Sequence, residues 1–380
     1  MKTALYQYRN ANLAKNENSD DFDVASAQLV LCFGAKNILQ DAEVFNKFKQ
    51  LFPVANIAMC STSGEIYETE VFDDTISVAV LYFSHTPIIA KSVKIGDYEN
   101  TYAAGKGLIE QFNNEGLSYL LVLSDGSMVN GSELVKGLND VSKQKILITG
   151  GLAGDGSNFQ STLIGLNAAP ENGIIAGIGF YGSSLKVGHG SQGGWDMFGL
   201  EKTVTKSKSN VLYEIDDKNA LEIYKKYLGP EAQTLPGSAL LFPLAITLPG
   251  SGEQVVRTIL SINEDDGSMT FAGDLPVGSQ VRFMKANFDK ITNAAAGAAL
   301  QSHAENSKPP KFALLISCVG RKLILQARVD EEVEAIDEVF DHKTFLTGFY
   351  SYGEISPILS GGGCQLHNQT MTITTFDETE

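Results

Sequence analysis

One phrase is written twice in this chain. CFGAKNILQ (Cys32–Gln40) and CVGRKLILQ (Cys318–Gln326) share Cys, Gly, Lys, Ile, Leu and Gln in order and without a gap. A continuous apolar run leads into each copy, as in a strand buried on both faces. A helix-spaced stretch follows each, DAEVFNKFKQLF in one and DEEVEAIDEVF in the other, and each unit then reaches Gly-Glu-Ile (Gly64–Ile66 and Gly353–Ile355) and a Thr-containing strand. Two β-α-β units from one ancestor explain this order better than chance. The chain is expected to be an α/β protein made of two related α/β modules, with mixed, largely buried β-sheets and an internal pseudo-duplication. A ligand site is expected where the halves meet, since pockets form at strand ends and domain interfaces.

Between the copies lies a comparable unit. LSYLLVLSDG reads as a strand ending in a turn, NGSELVKGLNDVS as a helix, and QKILITGGLAGDG as a strand running into a glycine-rich loop. NGIIAGIGFYG and SLKVGHGSQGGW read as two strands of a hairpin. The texture then changes, and a helix is expected from about Asn219 to Leu228, stopped by Gly229-Pro230. NEDDGS between apolar runs signals a second hairpin, ANFDKITNAAAGAALQSHAE a helix, and NSKPPK a linker. The expected division is a partly flexible N-terminal segment at 1–24, one α/β module at 25–203 and a second at 204–380.

The 380 residues carry a net charge of -16 and no basic run, so nucleic acid and anionic membrane are not expected partners. The N-terminus is polar after a short start, and no stretch approaches the roughly 18 apolar residues of a membrane span. A cytoplasmic protein is expected. The cysteines Cys32, Cys60, Cys318 and Cys364 form no CxxC pair and read as buried free thiols in a reducing compartment. The histidines show no HxH or HExxH spacing, so no metal site is expected.

The two copies differ in charge. Arg321 stands where the first copy has Ala35. A guanidinium just beyond a strand suits a carboxylate or phosphate, although a structural salt bridge to an acid such as Glu354 would also explain it. FYSYGEI puts Tyr350, Tyr352 and Glu354 at alternate positions, one face of a strand. With Arg321 they could bind a zwitterion, Arg taking the carboxylate and Glu the ammonium; Cys318 and Gly353 join this set. Arg321→Ala is then expected to abolish ligand binding and leave the fold intact. In GGLAGDG (Gly150–Gly156), Asp155 could bond a ligand amino group or cap its own turn. The loop lacks the spacing of a dinucleotide loop or a P-loop. A hydrolase would need a nucleophile such as Ser124, Ser127 or Cys318 beside a base, and no GxSxG elbow is present.

CSTSGEI, LSDG, GGLAGDG, NALEIYKKYLG, CVGRK and GFYSYGEISP…LHNQTMTI, in this order over nearly the whole chain, resemble the FIST proteins. The first half resembles the family's N-terminal module and the second its C-terminal module. The resemblance implies a stand-alone sensory, signal-transducing protein that binds a small ligand, an amino acid or related metabolite. It implies signalling to a separate partner such as a histidine kinase. Some members bind haem and sense nitric oxide, which makes haem the one cofactor to consider. Under that alternative His189 in KVGHGSQGGW would be the axial ligand, its glycines admitting the macrocycle and Trp195 packing on it. A hydrolase-like enzyme is the second alternative; the main expectation is no catalysis.

Overall fold

A computed structural model describes residues 1–235, 237–250, 252–303, 308–358 and 361–379. Part of the expected linker at Asn306–Lys311 lies outside the described residues.

The apolar run Leu29–Gly34 is a strand buried at every position. It lies parallel to Asn56–Ser61. Between them runs the helix Ala42–Leu51, which starts where the Asp41 carboxylate accepts the N–H of Glu43. Ile76–Tyr82 pairs antiparallel on the other side of the first strand. The same arrangement recurs with Leu117–Ser124, the helix Gly131–Ser142, Leu147–Leu152 and Ile174–Tyr181. It recurs again with Phe312–Cys318, the helix Asp330–Val339, Phe345–Ser351 and Met371–Glu378. The duplication is thus a triplication of β-α-β units.

The three units are laced together in a cycle. After its second parallel strand, each unit sends a short strand into a neighbour's sheet. Glu65–Tyr67 of the first pairs with Phe345–Ser351 of the third. Gly353–Pro357 of the third pairs with Leu147–Leu152 of the second. Ile164–Leu166 of the second pairs with Asn56–Ser61 of the first. Three equivalent backbone bonds close the ring: Ser63 N–H to Tyr350 O (2.8 Å), Tyr352 N–H to Leu152 O (3.1 Å) and Gly154 N–H to Ser61 O (2.8 Å). All three sheets face one central core, in which Phe33 stacks on Phe349 at 4.8 Å. Each sheet buries its other face under its own helices, so the strands read as unbroken apolar runs.

The repeated phrase lies out of register with this symmetry. Gly34 faces Ser61 and Ser317 faces Tyr350 across the parallel pairs, and the ring bonds make Ser61 and Tyr350 equivalent. Ala35 therefore corresponds to Cys318, and Arg321 does not occupy its place. The third unit starts its helix directly at Val319, whereas the sequence match aligns that helix with the end of the first strand.

In the N-terminal segment Lys2–Arg9 pairs along Ile76–Tyr82 and buries Ala4 and Leu5. Two other expectations change. Ile174–Tyr181 and Leu185–Gln192 are no hairpin, because the chain switches sheets and the latter pairs with Met371–Glu378. The boundary between 203 and 204 falls inside the strand Asp196–Lys208.

Residues 196–285 contribute a separate sheet around the helix Ala220–Leu228, with a core that includes Tyr224, Phe271 and Phe283. This smaller β domain docks on the helix Gly131–Ser142 through Asp274. Its carboxylate accepts from Asn130 Nδ2 at 3.2 Å and Lys136 Nζ at 3.4 Å, and its N–H donates to Ser132 Oγ at 3.1 Å.

Candidate functional site

In the second unit the parallel strands end at Ser124 and Leu152, beside the N-terminus of the helix Gly131–Ser142. The turn between the first strand and the helix is built by Asp125. Its buried carboxylate accepts Ser127 N–H (2.7 Å), Met128 N–H (2.7 Å), Ser127 Oγ–H (2.9 Å) and Gly173 N–H (2.9 Å). Asn130 caps the helix through the N–H groups of Ser132 and Glu133. The third unit's crossing segment delivers Tyr352 to this place, and the smaller domain covers it with Asn210, Leu260 and Phe271–Gly273. The result is a cleft of about 390 Å³ at strand ends, between the α/β body and the β domain.

The loop after Leu152 forms one wall. Tyr352 donates its hydroxyl proton to Asp155 Oδ1 and accepts the N–H groups of Asp155 (3.1 Å) and Phe159 (3.0 Å). Asp155 Oδ2 accepts from the amides of Gln160 (3.2 Å) and Ser161 (3.0 Å) and lies 3.8 Å from Lys36 Nζ. Burial, reinforced by the bond to Asp155, pushes the Tyr352 phenol well above its ordinary pKa. The Phe159 ring stacks on Tyr352 at 4.6 Å. The far side of the same loop lines a second, more polar cavity of about 410 Å³, together with Lys36, Ser63 and Asp74.

The structure thus brings Asp155 and Tyr352 together and leaves the other expected ligand residues elsewhere. Arg321 is fully buried. It bonds Glu332 Oε2 through Nε (2.9 Å) and Nη2 (2.6 Å), and the carbonyls of Gly193 (2.7 Å) and Ile291 (2.9 Å). Its carboxylate partner is Glu332, not Glu354, and it offers no fork to a ligand. Tyr350 is buried and donates to Glu332 Oε1 at 2.6 Å. Glu354 is buried and accepts from Ser351 Oγ (2.7 Å) and Thr370 Oγ1 (2.8 Å), and burial raises its pKa to about 8. Glu65 repeats this in the first unit with Thr62 and Thr75, and burial raises it to about 7. These carboxylates pin each crossing segment to the strand that follows. Cys318 is buried at a strand end, and Gly353 packs against Leu152 and Leu366. The zwitterion face is corrected accordingly: its members are consumed by internal partners.

His189, the residue expected to hold a haem, lies in the strand Leu185–Gln192 between two glycines. A Cβ on Gly188 or Gly190 would overlap the carbonyls of Ser302 and Ala298 in the helix Phe288–His303. These glycines admit a helix backbone, not a macrocycle. Trp195 donates to Gln369 O at 2.9 Å and packs with Ile291, Ile324 and Leu325. His189 itself points to the opposite face of the strand, where its buried Nε2 has no partner and burial lowers its pKa. Among the described residues no group of three or more His, Cys, Asp or Glu side chains is placed to hold a metal ion. Among the described residues no histidine bonds to Ser124, Ser127 or Cys318; Ser127 donates to Asp125 instead. Phe159 escaped the sequence reading, although an apolar residue inside GDGSNFQS was its visible signal.

Residues 28–218 match the FIST N domain and residues 220–357 the FIST C domain. The chain is also similar to an uncharacterized protein of Mycobacterium bovis and to one of Mycobacterium tuberculosis. Each is 28% identical over 159 residues, and that stretch spans 39% of this chain and 39% of the relative. Among the described residues no helix is long and apolar enough to cross a membrane.

Proposed function

The chain belongs to the FIST family, whose domains are sensory domains of signal-transduction proteins, and from that premise we propose that it binds a small metabolite in the cleft beside Tyr352 and reports the binding by a change of domain angle. One observation carries this reading. The cleft wall is shared between the α/β body (Ser127, Asn130, Phe159, Tyr352) and the β domain (Asn210, Leu260, Ala272). A molecule held there touches both bodies, so it binds the closed arrangement better than the open one. That difference in affinity is what shifts a conformational equilibrium.

An amino acid or related metabolite is the ligand class this reading favours, and a separate signalling protein such as a histidine kinase is the proposed listener. Four buried, unpaired thiols fit a reducing cytoplasm. The family's sensory character favours binding over catalysis.

The test is a thermal-shift screen of metabolites on the parent chain and on Ala272→Trp, which fills the cleft. A ligand at about 100 times its dissociation constant adds about 2.7 kcal/mol. The parent should be stabilised and the variant not. Equal stabilisation of both would move the site elsewhere.

A further inference from the structure

We infer that the ligand of this cleft carries a planar aromatic ring, stacked on the free face of Phe159 and covered by Leu260. The inference rests on the cleft being the ligand site. Single exposed apolar residues on a surface need no explanation, but several converging on one cavity do. Met128, Phe159 and Leu260 are 58%, 44% and 47% exposed, and all three line this cleft. Met128 and Phe159 come from the α/β body and Leu260 from the β domain, so closing the cleft would bury them together.

Phe159 is held there at a conformational cost. Its φ is 53°, a left-handed backbone that bulky residues rarely adopt. Its N–H bonds the Tyr352 hydroxyl at 3.0 Å, and its ring lies on the Tyr352 ring at 4.6 Å with an interplanar angle of 18°. The fold gains little from burying a ring that stays nearly half exposed. A stack of two rings with an open face beside a cavity is a platform for a third. At the same wall Ser127 and Asn210 donate to Asp125 and to the Phe271 carbonyl, and their oxygens can still accept from a donor such as the ammonium of an aromatic amino acid. The cavity of about 390 Å³ takes a molecule of that size.

The experiment compares ring with saturated ring. L-phenylalanine, L-tryptophan, L-cyclohexylalanine and L-leucine are titrated by calorimetry into the full chain and into Phe159→Leu, Phe159→Tyr and Ala272→Trp. Circular dichroism first verifies that the variants fold. The expected result is that the aromatic probes bind and the saturated ones do not. Phe159→Leu should weaken aromatic binding roughly two- to tenfold, and Phe159→Tyr should retain it. Equal binding of phenylalanine and cyclohexylalanine, no effect of Phe159→Leu, or no aromatic binding at millimolar concentration would overturn the inference. If a saturated probe alone binds and Ala272→Trp abolishes it, the cleft stands and the aromatic ligand falls. If binding survives Ala272→Trp, both fall.

Discussion

Tyr352 and Asp155 lie 197 residues apart in the chain and share a hydrogen bond across the junction of two units. The hydroxyl gives its proton to the carboxylate and takes the N–H groups of Asp155 and Phe159 in return. One oxygen from the third unit therefore fixes the loop that walls the cleft. Tyr352→Phe would leave that carboxylate and two amides short of a partner. The expected cost is about 1–3 kcal/mol. Hydrogen exchange at Asp155 and Phe159 should accelerate more than in the neighbouring strands. Unchanged exchange there would mean that the loop holds itself.

The buried pair Arg321–Glu332 predicts the opposite of a ligand anchor. Arg321→Met strips a fully buried carboxyl of its cation and leaves Tyr350 and Ser317 donating to it. The loss should be about 3–5 kcal/mol in urea unfolding. Adding Glu332→Gln should recover part of it, because a neutral amide still accepts the two hydroxyl bonds. An Arg321→Met protein as stable as its parent would show that the pair is not what holds this corner.

What could be read in the sequence was whatever is local. Leu29–Gly34 and Phe312–Cys318 are buried on both faces, so their apolar runs announce them without context. Asp41 and Asn219 cap their helices within a few residues, which a short window captures. The crossing strands could not be read this way. Glu65–Tyr67 has three residues, and its identity as a strand comes from Phe345–Ser351, far along the chain. The Cys32 and Cys318 phrases matched because both surround a strand-to-helix turn, yet the fold aligns Ala35 with Cys318. Arg321 found a carboxylate, as its chemistry required, but the choice of Glu332 over Glu354 was set by helix packing. Asp155 and Tyr352 were each singled out; their contact depends on the cyclic lacing, which no local pattern encodes.

Glu65 and Glu354 make stability depend on pH. Each carboxyl accepts hydrogen bonds that favour its charge, yet burial outweighs them and raises the two to about 7 and about 8. An unfolded glutamate titrates near about 4.3. Between that value and the folded ones the unfolded chain has lost protons that the native chain keeps. The contribution is thus complete below about pH 4.3 and is lost as pH rises through about 7 to 8. His367, lowered to about 4 by burial, acts in the other direction as pH falls below about 6.5. Comparison with a variant separates the two. Glu354→Gln should flatten the loss of stability between about pH 5 and 8 in urea melts. An unchanged slope would mean that Glu354 stays ionised in the native state.

Gly190 distinguishes a helix seat from a cofactor pocket. A Cβ at this position overlaps the carbonyl oxygen of Ala298, and the helix Phe288–His303 cannot retreat without disturbing Ala295, Ala298 and Ala299, which are fully buried against the third sheet. Gly190→Ala should therefore destabilise the chain by about 1–3 kcal/mol, as overpacking does, with or without haemin. His189→Ala, on the opposite face of the strand, removes a buried nitrogen that has no partner and should cost less. Parent protein incubated with haemin and desalted should retain no Soret band. A retained band that vanishes in His189→Ala would reverse the assignment and place the haem on the face of the strand opposite the helix.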